Sequence, residues 1–278
     1  MGLLIPLATR KECYSPRSVQ RDAAIAQAVV SALVRFGVKV EMVEERRLEK
    51  WYADDIGDID MWLSMGRMPE TTAFLKMRED CGDLVVNSGY GVEACTRHNL
   101  NKVMRDNHLP LPPDKGDDGF WVKRGDAAAQ DVDDVVWCAD EQAVETVRTS
   151  LASRGVTSIV VSAHLVGDLV KFYGVEGTGF FHTCYPTEGG FSKFGNESRN
   201  GAPHHYPFDS RGLQEDVERL SRLVRTPVYG GDCIVTPEGR YAIIDFNDWP
   251  SFEPCRDDAT NAIASLAIAS AKRDKKMI

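Results

Sequence analysis

Residues 230–252 constrain this chain most, because they read as a β-hairpin carrying acids on its strands. Cys233-Ile234-Val235 and Tyr241-Ala242-Ile243-Ile244 are short apolar runs, and Thr236-Pro237-Glu238-Gly239 between them has turn chemistry. On this reading Asp232 opens the first strand, while Asp245 and Asn247 close the second. Side chains alternate along a strand, so Asp245 and Asn247 share a face and Phe246 points into the opposite layer. The antiparallel return brings Asp232 beside them. Two carboxylates and an amide oxygen then converge, a donor set that suits Mg²⁺ (or Mn²⁺) shared with phosphates.

The chain opens as a β-α-β unit. Leu3-Leu4-Ile5-Pro6-Leu7 reads as a buried strand. Residues 22–36 have helical apolar spacing (Ile25, Val29, Ala32, Leu33, Phe36) and stop at Gly37, and 38–43 alternate as a second strand. Such a unit lays its strands parallel. Residues 59–65 and 84–87 are expected as further strands. The loop 9–18 follows the first strand's carboxyl end, where α/β proteins place ligands. Tyr14, Ser15, Arg17 and Arg67 are therefore substrate-site candidates.

A second unit begins near Arg97, with Thr96 as N-cap of a helix that ends before Leu109-Pro110-Leu111-Pro112-Pro113. Strands are expected at 120–126, 132–138, 158–161 and 167–175, with Lys123 near the end of one and Lys171 within another. Helices are expected at 141–152, 213–223 and 257–272. The polar segment 183–209 is long enough to suggest a functional loop.

With 278 residues, 43% hydrophobic, the chain can bury the core of about two domains. A net charge of -9 argues against a nucleic-acid surface. No apolar run approaches the ~20 residues that span a bilayer, and residues 1–7 read as a strand, not a signal peptide. The seven cysteines stand singly with no Cys-x-x-Cys pair, which disfavours a zinc ribbon or a disulfide framework. A cytoplasmic protein acting on a small molecule, away from membranes and nucleic acid, is the expectation.

Taken in order, Leu109-Pro-Leu-Pro-Pro113, Trp121-Val122-Lys123, Gly167-Asp-Leu-Val-Lys171, Asp232 and Ile244-Asp245-Phe246-Asn247-Asp248-Trp249-Pro250 resemble the ATP-grasp superfamily. The resemblance implies an α/β and α+β protein. An N-terminal α/β domain (1–95) would precede a grasp domain (96–278) with lobes at about 96–165 and 166–278. It implies ATP between the lobes, Mg²⁺ on Asp232, Asp245 and Asn247, Lys123 against the phosphates, and Lys171 assisting the transferred phosphoryl group. Three features depart from the family pattern. The phosphate-covering loop, residues 124–130, has a single glycine; Val160-Val-Ser-Ala-His164 lacks the usual hinge acid; and the early helix lysine falls near Asn99. Lys102, one turn later, is the expected substitute in nucleotide binding.

The leading expectation from the resemblance is a ligase that activates a carboxylate as acyl phosphate and passes it to an amine. Lys193, Arg199, His204, His205 and Arg256 are candidates for holding the carboxylate, Arg256 with a catalytic part. The same tail also resembles the inositol-phosphate-kinase branch, which phosphorylates a hydroxyl, and a non-catalytic nucleotide-binding protein is the third reading. His204 and His205 are not expected to bind a metal, since adjacent strand residues point apart.

Overall fold

The computed structural model describes residues 3–53, 58–126, 131–189 and 199–274. β1 (Leu4–Thr9), α1 (Val19–Arg35), β2 (Lys39–Glu44), α2 (Leu48–Ala53), β3 (Trp62–Ser64), α3 (Pro69–Asp80), β4 (Val85–Val86) and α4 (Gly89–Ala94) form the first unit. Its four strands pair in parallel in the order β2-β1-β3-β4. The expected β-α-β opening is present. Ile25, Val29 and Leu33 on α1 are fully buried, each contributing about 1.5–3 kcal/mol through apolar burial.

α5 (Arg97–Asp106), β5 (Phe120–Arg124), β6 (Val135–Cys138), α6 (Glu141–Ser153) and β7 (Ile159–Ala163) follow, with an antiparallel sheet ordered β6-β5-β7. Val122 faces α6, in a small core with Val144 and Leu151. Trp121 and Lys123, one step to either side, belong to the other face. The rest is β8 (Asp168–Val175), β9 (Phe180–Cys184), α7 (Pro186–Gly189), α8 (Ser210–Leu223), β10 (Val228–Val235), β11 (Tyr241–Asp248) and α9 (Arg256–Asp274). Its sheet is antiparallel in the order β11-β10-β8-β9. One face carries Val170, Phe172, Tyr229 and Phe246 into a core with Leu213, Val217 and Leu220 of α8. The opposite face looks toward the three-stranded sheet across a cleft.

The last helix returns to the first unit. Ala259, Ile263 and Ala267 of α9 pack in one core with Ile25, Val29 and Leu33 of α1; the small alanines let the two helices approach closely. Asn87 adds a second tie, its Nδ2 donating to the Val228 carbonyl (2.8 Å) and its Oδ1 accepting from the Val228 amide (2.9 Å). Among the described residues no helix is long and apolar enough to cross a membrane.

A buried ionic knot is the third tie. Asp248, at the end of β11, accepts from Arg67 Nε (3.1 Å), while Arg10 donates to the Trp249 carbonyl (2.9 Å), the Met65 carbonyl (3.0 Å) and Asp22 (3.2 Å). Burial alone would raise the Asp248 carboxyl, but Arg67 and Arg10 outweigh it and hold it below the ordinary carboxylate value. Asp248→Ala strands two buried guanidinium groups and is expected to cost about 3–5 kcal/mol. Equilibrium urea unfolding reads this directly; a loss below about 1 kcal/mol, the value of a solvated pair, would show that the knot does not hold the units together.

Candidate active site

β10 and β11 build the centre of the site. Asp232 lies directly opposite Asp245, and Gly230 opposite Asn247. The expected hairpin is there, with its turn closed by Gly239 N donating to the Thr236 carbonyl (2.8 Å). Both strands run further than their apolar runs suggest. Val228 to Gly231 pair with β8, so Asp232 sits inside a strand and not at its start. Gly231 belongs in that strand because a Cβ there would collide with the Asp245 carbonyl and the Phe172 ring.

The register shifts between Asp232 and Cys233, whose partners are Asp245 and Ile243, leaving Ile244 as an extra residue. Such a bulge re-aims side chains. Ile243 stays in the core, while Ile244, Asp245 and Asn247 all line the cleft, and Phe246 is buried behind them. The Ile244 carbonyl accepts from Lys123 Nζ (2.9 Å), which links the two facing sheets.

Cations surround the acids. Lys171, opposite Asp232 across β8 and β10, donates from Nζ to Asp232 Oδ1 (2.8 Å). Arg97 places Nη2 3.6 Å from Asp245 Oδ2, and its buried Nε has no hydrogen-bond partner among the described residues. Burial would raise the Asp245 carboxyl; Arg97 and Lys123, with a hydrogen bond from Asn247, hold it below its ordinary value. Burial also pushes the Lys123 ammonium down to about 8, with Arg97 adding to the fall and Asp245 opposing it. Two carboxylates and an amide oxygen suit a hard divalent cation. The Arg97 Nε and the lysine ammoniums offer donors to an anion beside it. Among the described residues no group of three or more His, Cys, Asp and Glu gathers for a metal, so the amide is a necessary third donor.

The cleft holds a cavity of about 300 Å³, within the size range of small-molecule sites. Register gives it a direction. Leu169 and Ile234 pair at one step, Lys171 and Asp232 two residues on, Tyr173 and Gly230 two further. The first step belongs to an apolar end with Trp121, Val135, Ala163 and Leu165. There Trp121 Nε1 donates to His164 Nδ1 (3.0 Å). The last step leads through Pro250 to the first unit, where Arg10, Ser15, Arg21 and Arg67 line the wall. The loops carrying Arg10 and Arg67 are set by Glu45, which accepts from the backbone amides of Lys11, Arg67 (2.6 Å) and Met68 (2.7 Å).

The structure brings Lys123, Lys171, Asp232, Asp245 and Asn247 together, with Ser15, Arg67 and Arg199 in the same cavity wall. Arg199 also stacks on Trp137. Lys102 is a correction. It is 71% exposed and pairs with Asp106 (2.6 Å) along its own helix. Five residues of helix carry it well round from Arg97, whose side chain in the first turn leans toward the helix N-terminus and the cleft. Arg97, just after Thr96, is instead the basic residue of this helix that lines the cleft. Arg256 stands at the start of α9 outside the cavity lining, its buried Nε without a hydrogen-bond partner among the described residues. His204 stacks on Tyr206, His205 meets Glu188, and Tyr14 and Arg17 also lie outside the lining. Lys193 and residues 127–130 of the expected phosphate-covering loop lie outside the described residues.

The chemistry of Lys123 is directly testable. Its amine should be acetylated by acetic anhydride with a pH midpoint near 8, where ordinary lysines titrate near about 10.4. Arg97→Ala removes a like charge and should raise that midpoint. A native midpoint at the ordinary lysine value, read by peptide mass spectrometry across pH, would contradict the burial of this group.

No family model and no characterised protein sequence matches the chain. Solved structures do. The D-alanine-D-alanine ligase from Coxiella burnetii superposes with a TM-score of 0.67 at 10% identity, covering 100% of this chain and 97% of that one. The ATP-grasp ligase PsnB bound to a minimal precursor gives 0.63 at 14% identity, with 97% and 99% covered. A RimK-domain ATP-grasp protein from Sphaerobacter thermophilus gives 0.62 at 16% identity, with 95% and 98% covered. These likenesses run the length of each chain, and they show that this protein has the ATP-grasp fold.

Proposed function

We propose that the chain is an ATP-dependent ligase that activates a carboxylate as its acyl phosphate and joins it to an amine, releasing ADP and phosphate. The observation that carries this reading is the convergence of Asp232, Asp245 and Asn247 with Lys123, Lys171 and Arg97 midway along one cleft, between an apolar end and an arginine-lined end. Neighbours by fold are ATP-grasp ligases, and PsnB has been solved with Mg and ADP and with AMPPNP, which supports the same ligands here.

In this reading the apolar end, walled by Trp121, Ala163, Leu169 and Ile234, takes the base. Asp232, Asp245 and Asn247 hold Mg²⁺. Lys123 and Arg97 bind phosphate oxygens from the three-stranded-sheet side, and Lys171 binds them from the opposite sheet. Bound Mg-ATP would supply the γ-phosphoryl group for the carboxylate. Phosphoryl transfer asks the protein for position and charge compensation more than covalent help, and this set of side chains provides both. An anion beside Lys123 favours its charged form, so nucleotide binding is stronger below pH 8 than above it. The arginine-lined end, with Ser15 in its wall, receives the carboxylate, while Arg67 there stays on Asp248.

Incubation with Mg-ATP and pooled small carboxylates and amines should release ADP and phosphate in equal amounts, only when both pools are present. Asp245→Asn should lower that turnover on the order of 10²-fold or more, the scale for losing one electrostatic clamp. ADP without matching phosphate, supported by a polyol pool alone, would contradict ligation and indicate phosphorylation of a hydroxyl.

A further inference from the structure

The apolar end of the cavity also carries two polar side chains, each fixed at one end by a protein partner. His164 directly follows β7, and Asn200 comes from the segment before α8; both line the cavity. Trp121 Nε1 lies 3.0 Å from His164 Nδ1. An indole N–H can only donate, so Nδ1 is the bare ring nitrogen and the hydrogen of the neutral ring sits on Nε2. Burial and the neighbouring Arg199 both lower the His164 pKa against a smaller opposing pull from Asp118, which favours the neutral ring. Asn200 Nδ2 donates to the Leu165 carbonyl (3.2 Å). A carbonyl only accepts, so the amide nitrogen must face it and Oδ1 is turned away.

Neither His164 Nε2 nor Asn200 Oδ1 has a hydrogen-bond partner among the described residues. Leu165 follows His164 in the chain, so this open donor and this open acceptor are neighbours on the cavity wall. The backbone beside them is already engaged. The Ala163 amide donates to the Pro113 carbonyl (2.8 Å), and the His164 amide to the Gly119 carbonyl (2.8 Å). Arg199, next to Asn200, is held over the Trp137 ring. The segment that follows Asn200 is pinned to β8, because buried Asp168 accepts from the amides of His204 (2.7 Å) and Tyr206 (2.8 Å). The donor and acceptor are thus held in place before any ligand arrives.

We propose that His164 and Asn200 read the base of the nucleotide, His164 Nε2 donating to a ring nitrogen and Asn200 Oδ1 accepting from the amino group beside it. Adenine offers that combination, an acceptor ring nitrogen next to its 6-amino donor. A 6-oxo purine places a carbonyl oxygen where the amino group was, so that two acceptors face each other and neither is paired. The two side chains therefore select adenine against 6-oxo purines, whereas an apolar wall alone would accept either ring. This inference rests on the nucleotide reading of the cleft and names the groups that set its base specificity.

The test is calorimetric titration of the full chain with Mg-ADP, with the magnesium complex of inosine diphosphate, and with Mg-tripolyphosphate. Tripolyphosphate carries the charge without a base, so it reports on the lysines and metal ligands alone. The native chain should bind Mg-ADP about ten- to a hundredfold more tightly than the inosine nucleotide. Asn200→Leu should remove most of that preference, and His164→Phe should weaken Mg-ADP about tenfold. All three chains should bind Mg-tripolyphosphate alike, which shows that the variants fold. Equal binding of the two nucleotides by the native chain, or folded variants that keep the native preference and affinity, would overturn the base assignment. Tripolyphosphate binding with no nucleotide binding would overturn it too and leave the phosphate site standing. Binding of none of the three would sink the nucleotide reading of the cleft and the base assignment together.

Discussion

The pairing of β10 with β11, with its one-residue bulge, is the constraint on which the site depends. Without the extra residue at Ile244, strict alternation would send either the acids or the aliphatic residues of β11 to the wrong face. With it, Ile243 and Phe246 remain in the core while Ile244, Asp245 and Asn247 all reach the cleft. The same irregularity presents the Ile244 carbonyl to Lys123 and so joins the two facing sheets. Gly231 lets β8, β10 and β11 pack at this point without a collision.

Charge compensation is the second theme. Asp245 and Asp248 lie three residues apart at the end of one strand, Asp248 buried and Asp245 partly so, and arginines from other parts of the chain help hold both below the ordinary carboxylate value. Arg97 comes from the helix that opens the second unit, and Arg10 and Arg67 come from the first. The acids of β11 therefore gather the units as well as forming the site. Lys123 bears the cost of this arrangement as a depressed ammonium, which anionic phosphate would relieve.

Much of this was legible in the sequence. The hairpin, the cleft-facing acids and Asn247 followed from alternation and a Pro-Glu-Gly turn, and the β-α-β opening followed from helical spacing ended by Gly37. The bulge was not legible, because it depends on how β8 and β10 pair across the sheet. Val228 to Gly231 extend the strand although two glycines resemble a break, since close packing and not propensity selects them. Lys102 is expected from the sequence because one turn of helix from Asn99 keeps the same face, but Asn99 and Lys102 are both exposed to solvent. The partnership of Arg10, Arg67 and Asp248 spans most of the chain, a separation at which local pattern carries no information. Arg256 followed the metal motif closely in sequence, but the turn through Trp249 and Phe252 leads it away from the cavity lining.

The central claim is that one cleft holds a magnesium nucleotide on the acids of β10 and β11. A crystal structure grown with Mg²⁺ and a non-hydrolysable ATP analogue tests it most directly. The account predicts metal density at about 2.0–2.1 Å from oxygens of Asp232, Asp245 and Asn247, with the base against Trp121 and phosphate oxygens at Lys123 and Lys171. A nucleotide seated elsewhere, or a metal with no ligand from these three residues, would contradict it.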